Sequence, residues 1–376
     1  MSRCREGKNL WTERENTKML MLTNEDVEQV LDMGSCIEIL EDTYQALAEH
    51  RAINIPRADM LVPTSKPEVI HGFKTMSGSI PQFGITALRL NSDVINWPTI
   101  DGEPRRVKIP AAGTGKWVGL VLLFQIETGE LIAMMPDGVI QRMRVGATNG
   151  LGAKFLSRED AATVGMLGSG WQAAAQLMAI TKVRNIKKIT VFSPTKDNRI
   201  RFAREMEKLL ETEVSEVDNA AQAVDKADVI MAATNALQPV IKKSYLHPGV
   251  HITCVRQSEL DAESLASCDI VTINTRMAEP DHYVLGKEEE IPEISTGFRG
   301  LEKQAGKSWW QVPELSDVIG GKSRRRVNDS EITCFINNLG LGVQFAAVGA
   351  KVYELAKNHG IGKELPTDWF TQSVHP

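Results

Sequence analysis

The sequence contains few cysteines, few histidines and no long apolar run. Its five cysteines are scattered through 376 residues without a CxxC pair, which argues against a disulfide framework or a zinc cluster. The seven histidines also lack metal-ligand spacing, so we expect no metal site. No stretch approaches the roughly 18 apolar residues that cross a bilayer, and no secretory core segment is visible. We therefore expect a cytoplasmic protein that is not inserted in a membrane.

An excess of positive charge is also absent. Lys plus Arg number 43 and Asp plus Glu number 48, which gives a formal net charge of −5. Nucleic-acid binding requires a basic face, so no nucleic-acid partner is expected. The most concentrated basic stretch, residues 322–326, is interpreted as a solvated loop. At roughly 150 residues per domain, the length predicts two or three domains.

The chain shows two different patterns of apolar residues. A helical pattern covers 23–49, with Thr23 as its cap, and short strand-like runs follow, including an antiparallel pair at 117–126 and 131–135. From 162 onward, strand-like runs alternate with helical ones, which indicates a doubly wound parallel sheet. These later runs are 163–167, 188–192, 227–234, 251–255 and 269–274. A helical pattern from 332 to 357 is expected to pack back on the first domain.

A glycine-rich turn follows the first of these later strands. Residues 168–173 read GSGWQA and fit the pattern G-x-G-x-x-A between a strand and a helix. Gly168 allows a tight turn and Gly170 allows the backbone to approach a pyrophosphate, which the helix N-terminus then attracts. The candidate cofactor-binding residues here are Gly168, Ser169, Gly170, Trp171 and Gln172, together with Thr234 and Val255 at the ends of two later runs.

The segment after the second strand bears on the choice of dinucleotide. NAD-binding sites usually place Asp or Glu at this strand end, where it binds the ribose hydroxyls. No acid stands there; Ser193, Thr195, Lys196 and Arg199 are instead available to bind a 2′-phosphate. We therefore expect NADP(H) to be preferred, with NAD(H) possible. The alternative interpretation is that Lys196 and Arg199 are ordinary surface charges.

A series of ordered landmarks resembles the ornithine cyclodeaminase/mu-crystallin family. The landmarks are Pro56–Arg57, 127–133 (ETGELIA), Asp137–Gly138, Arg144 with Ala147, 168–173, 227–230 (ADVI), 248–252 (PGVHI), 259–261 (ELD) and 332–335 (ITCF). The resemblance implies a homodimer and a Rossmann-type, doubly wound parallel sheet inserted into an α+β domain for dimerisation and substrate binding. Residues 1–150 and 333–376 would form that α+β domain, and 151–332 the NAD(P)-binding domain.

The resemblance also implies which side chains hold the substrate. Members of the family bind the carboxylate of a small amino or imino acid between the two domains. Arg57 and Arg144 match the family's carboxylate-binding arginines, and Arg89 lies about where the family has lysine. A guanidinium forms a two-pronged contact with a carboxylate, so arginine at position 89 remains compatible with this role. Each arginine taken alone could equally form a structural ion pair.

Two departures from the family pattern affect the expected chemistry. The catalytic aspartate of the cyclodeaminases is absent from 254–260 (CVRQSEL), where Arg256 and Gln257 occupy the approximate place. Lys74 falls about where those enzymes have a glutamate. Together the two changes make the pocket more positive, which suits an anionic substrate. Lys74 is our candidate both for substrate binding and for proton transfer; the alternative is an ordinary lysine on a strand surface.

Three functions remain open from the sequence. The first is an NAD(P)H-dependent oxidoreductase acting on the C–N bond of a small carboxylated imine, ketimine or amino acid. The second is an ammonia-eliminating cyclodeaminase with bound NAD, and the third is a non-enzymatic protein that binds NADPH and a small ligand. Three amide side chains, Asn337, Asn338 and Gln344, stand where the family has an acidic helix and could complete the pocket.

Overall fold

The computed structural model describes residues 18–100, 103–104, 107–111, 115–236, 238–276, 281–285 and 311–374. Its strands are β1 Met19–Met21, β2 Ile53–Asn54, β3 Ala58–Pro63, β4 Ile70–Ile80, β5 Ile85–Asn96, β6 Thr99–Ile100, β7 Glu103–Pro104, β8 Val107–Ile109, β9 Val118–Gln125, β10 Leu131–Pro136, β11 Thr163–Leu167, β12 Lys188–Phe192, β13 Glu213–Glu216, β14 Val229–Ala232, β15 His251–Cys254, β16 Ile270–Ile273, β17 Asp281–Val284, β18 Thr333–Ile336 and β19 Lys363–Leu365. Its α-helices are α1 Asn24–Val30, α2 Met33–Ala48, α3 Gly138–Leu156, α4 Trp171–Val183, α5 Lys196–Leu210, α6 Ala220–Val224, α7 Ala262–Ala266, α8 Leu315–Ile319 and α9 Gly342–His359.

The first helical region is two helices rather than one. The Thr23 side chain accepts from the backbone N–H of Asp26 at 3.2 Å, and the Asp26 carboxylate accepts from the N–H of Thr23 at 2.8 Å, so the predicted cap is present. The helix then ends at Val30, and the Asp32 side chain caps a second helix by accepting from the N–H of Ser35. The sequence pattern missed this break because the apolar residues keep helical spacing across it.

The first sheet is mixed, and β4 and β5 are its longest strands. Its order in the described residues is β17-β3-β4-β5-β9-β10-β1-β19, with β2 on β4 and β8 on β5. The predicted antiparallel pair is present as β9 and β10. Helix α9 packs on β4 and β5, and the backbones meet closely because Gly78 and Gly342 lack side chains there. The opposite face of β3, β4, β5 and β9 is not covered by any described helix of this chain.

The second sheet is parallel throughout, which confirms the predicted Rossmann-type fold. Its order is β13-β12-β11-β14-β15-β18-β16, and every neighbouring pair is parallel. The order reverses at β11, since β12 and β13 lie on one side of it and β14 and β15 on the other. Ligands of such sheets bind beyond the carboxyl ends of the strands at this switch point.

Strand β18 gives the parallel sheet a member that the sequence pattern placed in a helix. Residues 333–336 pair with both β15 and β16, and the helix begins only at Gly342. The chain therefore stays in the parallel sheet through Ile336, beyond the division at 332/333 expected from the sequence. The proposed division into 1–150 plus 333–376 and 151–332 otherwise stays a prediction.

The basic stretch 322–326 is a loop in which Lys322, Arg324 and Arg325 are exposed, as expected, but its arginines also contact neighbouring elements. Arg326 donates to the backbone carbonyls of Leu156 and Glu331, and Arg325 lies 4.4 Å from the ring centroid of Phe155. These arginines bind helix ends and strand starts at the edge of the parallel sheet remote from the strands' carboxyl ends. None of the described helices is both long and apolar enough to cross a membrane.

Candidate active site

A deep cleft opens between the two sheets at the carboxyl ends of the parallel strands. Its volume is about 1230 Å³. Residues at the ends of β11, β12, β14, β15 and β18 form one side, and Arg57, Gln141 and Arg144 lie on the other. Helix α3 carries Gln141 and Arg144 into the cleft. This position is the one at which doubly wound sheets bind their ligands.

The turn after β11 has the geometry that a pyrophosphate needs. Gly168 has φ +120°, and a Cβ there would lie 2.4 Å from the carbonyl oxygen of Ala233. A Cβ at Gly170 would meet no atom within 4 Å, so this residue faces the open cleft. Helix α4 begins at Trp171 without a side-chain cap, and its first N–H groups remain available. These residues fit a dinucleotide.

The other predicted residues of this turn also line the cleft. Trp171 is 56% exposed, and the guanidinium carbon of Arg142 lies 5.1 Å from the centroid of its ring. Gln172 lines the same wall, and its buried Oε1 has no hydrogen-bond partner in the described part of the chain. The turn therefore offers an open acceptor as well as backbone donors.

The end of β12 brings together only some of the residues expected to bind a 2′-phosphate. Ser193 and Thr195 line the cleft, and the Ser193 and Ser169 hydroxyls lie 2.8 Å apart. Arg199 does not line it: its guanidinium bonds to the Asp218 carboxylate and to the carbonyl of Ser193 beneath the strand end. Lys196 is exposed and also lies outside the cleft lining.

A buried carboxylate that the sequence reasoning had named only as a landmark fixes the neighbouring strand ends. Glu259 is completely buried. Its Oε1 accepts from the N–H and hydroxyl of Thr234 at 2.6 and 2.8 Å, and its Oε2 accepts from the N–H groups of Val255 and Arg256 at 3.0 and 3.1 Å. Burial raises the pKa of the Glu259 carboxyl, and these donors oppose the rise. Thr234 and Val255, both predicted, are thereby held at the cleft floor.

Arg144 is a buried cation without an ionic partner. It is 5% exposed, and its guanidinium donates only to amide oxygens, those of Gln344 at 3.0 Å and Gln141 at 2.7 Å. No carboxylate lies within 4.0 Å of it in the described residues, and its Nε has no partner there. Burial, followed by the like charge of Arg89, lowers the pKa of Arg144 to about 9.

A hydrogen-bond network of uncharged side chains orients the guanidinium of Arg144. Gln344 donates from Nε2 to the hydroxyls of Tyr44 and Thr148, both at 2.8 Å, while its Oε1 accepts from Arg144. Tyr44 in turn donates to Asn274 Oδ1 at 2.5 Å, and burial raises the pKa of Tyr44 to about 12. Because no member carries a charge, the network orients Arg144 without neutralising it.

The backbone near Asn337 completes this wall. A Cβ at Gly340 would lie 2.5 Å from both terminal nitrogens of Arg144, so only glycine allows the guanidinium to pack there. Asn337 donates to the carbonyl of Val145 at 3.3 Å and to Asn149 Oδ1 at 2.7 Å, which ties the end of β18 to α3. Asn338 also lines the cleft, and its Oδ1 accepts from backbone N–H groups after β16.

The remaining predicted substrate residues occupy different positions. Arg57 lines the cleft, and its guanidinium forms a two-pronged ion pair with Asp59 at 2.8 Å. Arg89 lies below the cleft lining, where it bonds to Asp137 at 2.8 Å. Lys74 is buried on the inner face of β4, directly across from Asp59 on β3, and does not line the cleft. The structure thus brings two of the four predicted side chains into the cleft.

The charge of the cleft has one sign. Among its described lining residues are four cations, Arg57, Arg144, Lys242 and Arg256, and no Asp or Glu. Because the first residues of α4 also present N–H groups, the whole lining favours anions. The arrangement can hold a dinucleotide pyrophosphate on one side and a small carboxylate on the other.

The fold and the cleft are those of a dinucleotide-binding protein with a Rossmann-type parallel sheet. The family model of the ornithine cyclodeaminase/mu-crystallin family matches residues 17–360, nearly the whole chain. The protein therefore belongs to that family, as the sequence landmarks predicted.

Its relatives include several named reductases and dehydrogenases. Delta(1)-pyrroline-2-carboxylate reductase of Bacillus thuringiensis is 30% identical over 249 residues, which is 66% of this chain and 74% of the relative. Iminosuccinate reductase of Paracoccus denitrificans is 25% identical and covers 92% of this chain and 99% of its own. The solved structure of Thermococcus litoralis Delta(1)-pyrroline-2-carboxylate reductase with NADH and L-proline has a TM-score of 0.75 at 27% identity, covering 92% of this chain and all of that one. With the dinucleotide cleft, these relatives class the protein as an NAD(P)-dependent oxidoreductase.

Several functional residues escaped the sequence reasoning. Glu259 and Tyr44 act through contacts with residues 25 to 300 positions away, so no local spacing marks them. Gln344 had been singled out only as an amide near the pocket. A weak signal did exist for Glu259, because it stands in the 259–261 landmark a few residues after the predicted strand 251–255.

Proposed function

We propose that this protein reduces the C=N bond of a small imine or ketimine that carries a carboxylate beside the imine carbon, or oxidises the corresponding amino acid. When bound, NAD(P)H supplies the hydride for the carbon, and nitrogen takes up one proton. The observation that carries this proposal is Arg144, a buried guanidinium that faces the dinucleotide cleft and has no counter-ion among the residues that the structure describes.

The physical role of Arg144 follows from its surroundings. A buried cation without a counter-ion is costly, so an entering carboxylate regains free energy that the apo protein lacks. The two-pronged contact also fixes the direction of the carboxylate and hence of the adjacent carbon. Arg57, restrained by Asp59, lies on the same side of the cleft as Arg144 and would hold the second carboxylate oxygen.

Lys74 is our candidate for the source of the proton. Lys74 lies one strand away from Asp59, whose carboxylate binds the cleft residue Arg57. A Lys74→Met variant should lower kcat for imine reduction while NAD(P)H binding persists. Unchanged kcat would remove Lys74 from the mechanism.

The reductase proposal is tested by turnover of a panel of imines. Wild-type protein with NADPH or NADH should reduce imines formed from small 2-oxo acids with ammonia or methylamine, and cyclic imines with a carboxylate on the imine carbon. Arg144→Met should lower kcat/KM by about 100-fold, while the dinucleotide still binds. Arg204→Gln on the exposed face of α5, outside the cleft, is the matched control for the lost charge. Tight NADPH binding with no turnover across the panel would instead indicate a non-enzymatic binder.

For the cofactor, we propose that both dinucleotides bind and that NADPH is preferred. The support is the lack of a carboxylate at the β12 end of the described lining, where the hydroxyls of Ser169, Ser193 and Thr195 stand. Ser193→Asp should shift the ratio of kcat/KM toward NADH, because the carboxylate repels a 2′-phosphate and binds ribose hydroxyls. If the ratio of kcat/KM for NADPH to that for NADH were the same in wild type and in Ser193→Asp, the proposed preference would be contradicted.

For the assembly, we propose a homodimer formed through the uncovered face of the first sheet. Met60, Phe73, Leu88, Leu90 and Leu122 lie on this face, opposite the side that α9 covers, and Met60 is 46% exposed. A solved alanine dehydrogenase with a TM-score of 0.73 is described as a dimer. Leu90→Lys should halve the mass measured by light scattering, whereas Leu209→Lys on α5 should not. A wild-type monomer would contradict the proposal.

A further inference from the structure

Two cations of the cleft, Lys242 and Arg256, have no function in the proposal so far. Arg57 is ion-paired with Asp59, and Arg144 serves the carboxylate beside the reacting carbon. The pyrophosphate is provided for by the turn at Gly168 and the start of α4. Arg256 also lines the cleft, is exposed, and has no ion pair or side-chain hydrogen bond to the described part of the chain.

Arg256 stands on the strand-end side of the cleft, away from the pyrophosphate turn and toward Arg144. It follows β15, which lies two strands from β11, so its backbone is roughly 10 Å from the pyrophosphate turn. On its other side is β18, where the N–H of Asn337 donates to the carbonyl of Cys254 at 2.9 Å. Asn337 in turn bonds to Val145, the residue after Arg144. Arg256 therefore lies near the Arg144 end of the cleft.

The backbone of Arg256 is also fixed rather than free. Glu259 accepts from its N–H at 3.1 Å and from the N–H of Val255 at 3.0 Å. The side chain thus starts from a defined point at the cleft wall. A guanidinium held in this way can recognise a second carboxylate with two parallel hydrogen bonds.

We propose that the substrate is a dicarboxylic imine, whose second carboxylate at the end of the side chain binds Arg256. The product would be an amino dicarboxylic acid. This inference rests on the proposed reductase function and concerns the same site. The lack of any Asp or Glu in the described lining supports it, because a substrate side chain with a positive end would find no partner.

The test compares substrates that differ only in the second charge. Imines are formed with ammonia from 2-oxoglutarate and oxaloacetate, and in parallel from 2-oxopentanoate and 2-oxobutyrate, and kcat/KM is measured for each. Wild-type protein should favour the dicarboxylic member of each pair. Arg256→Gln should lower kcat/KM by about 30-fold for the dicarboxylic imines and by less than about twofold for the others. Arg256→Lys should recover part of the lost kcat/KM, because the positive charge remains although the two parallel hydrogen bonds of the guanidinium are lost.

The control for the charge lost in Arg256→Gln is a variant outside the cleft. Arg204→Gln removes the same charge from outside the cleft and should leave all four values unchanged. Equal or better turnover of the monocarboxylic imines by wild type, or an equal loss for both classes in Arg256→Gln, would overturn the dicarboxylate inference while leaving the reductase function intact. No reduction of any imine would overturn the proposed function itself.

Discussion

The two sides of the cleft are built in contrasting ways. The cofactor side consists mainly of backbone and small uncharged groups from one contiguous turn, Gly168 to Gln172, and from the strand ends beside it. The substrate side consists of long charged side chains, Arg57 and Arg144, that come from separate elements of the first domain and are held by partners as far away as Gln344.

This difference separates two kinds of molecular recognition. Pyrophosphate is common to NAD(H) and NADP(H), so the backbone N–H groups at the start of a helix are sufficient to bind it. Such a site depends little on which side chains surround it. A substrate carboxylate must be held at a fixed position relative to one carbon, which requires rigid side chains in a low-dielectric site. We therefore expect mutations on the two sides to affect different measured quantities.

The largest effect is expected at the glycine turn. Gly168→Ala would place a Cβ 2.4 Å from the carbonyl oxygen of Ala233 in a residue with φ +120°, so the turn must shift. We expect at least about 100-fold weaker binding of NAD(P)H and a lower free energy of unfolding. Quenching of protein fluorescence and urea denaturation measure the two effects.

Gly170→Ala is the matched variant. Its Cβ would enter open space within the cleft, so folding should be unaffected while the pyrophosphate is pushed away. Dinucleotide binding should weaken by about tenfold with no change in the urea midpoint. If Gly170→Ala destabilised the fold as much as Gly168→Ala, the distinction between the two glycines would be wrong.

The second-largest effect is expected on the free energy of unfolding when the buried carboxylate of Glu259 is replaced. In Glu259→Gln, one end of the side chain becomes an NH₂ group facing N–H donors that now bond to a carboxylate oxygen. Leaving these donors unpaired in a buried site should lower the free energy of unfolding by about 2 kcal/mol. Glu263→Gln, on an exposed side chain of α7, should be neutral in the same denaturation experiment.

The cofactor side could be predicted from sequence because its signals are local. The strand runs 163–167 and 188–192 coincide with β11 and β12, and the turn between β11 and α4 is where the GSGWQA pattern placed it. Strand β18 could not be recognised, because the short run TCFI before a helical pattern fits either structure. Its identity depends on pairing with β15, more than 80 residues earlier.

The positions of the charged side chains around the cleft were only partly predictable because they depend on distant pairings. Arg89 and Arg199 have the right residue type, yet Asp137 and Asp218 bind their guanidinium groups outside the cleft lining. These aspartates lie 48 and 19 residues from the arginines that they bind. A local sequence pattern cannot reveal such a pairing. The network behind Arg144 was missed for the same reason, since Tyr44 and Gln344 are 300 residues apart.

The smallest predicted effect tests whether the two sides are separable. In Gln344→Leu, Arg144 loses the acceptor at 3.0 Å that orients it, but the cation itself remains. KM for the carboxylated imine should rise by about tenfold, whereas the Kd of NAD(P)H should stay within twofold of wild type. Because buried groups such as Tyr44 also lose a partner, some loss of stability is expected and must be measured in the same samples.

Gln45→Leu provides the control for this variant, because Gln45 bonds to Glu49 on the surface of α2 and has no contact with Arg144. It should leave both KM and Kd unchanged. If Gln344→Leu weakened NAD(P)H binding as strongly as it raised KM, the glutamine would support the whole cleft rather than the guanidinium, and the two sides would form a single unit. A rise in KM alone would show that an uncharged network positions Arg144 independently of the cofactor side.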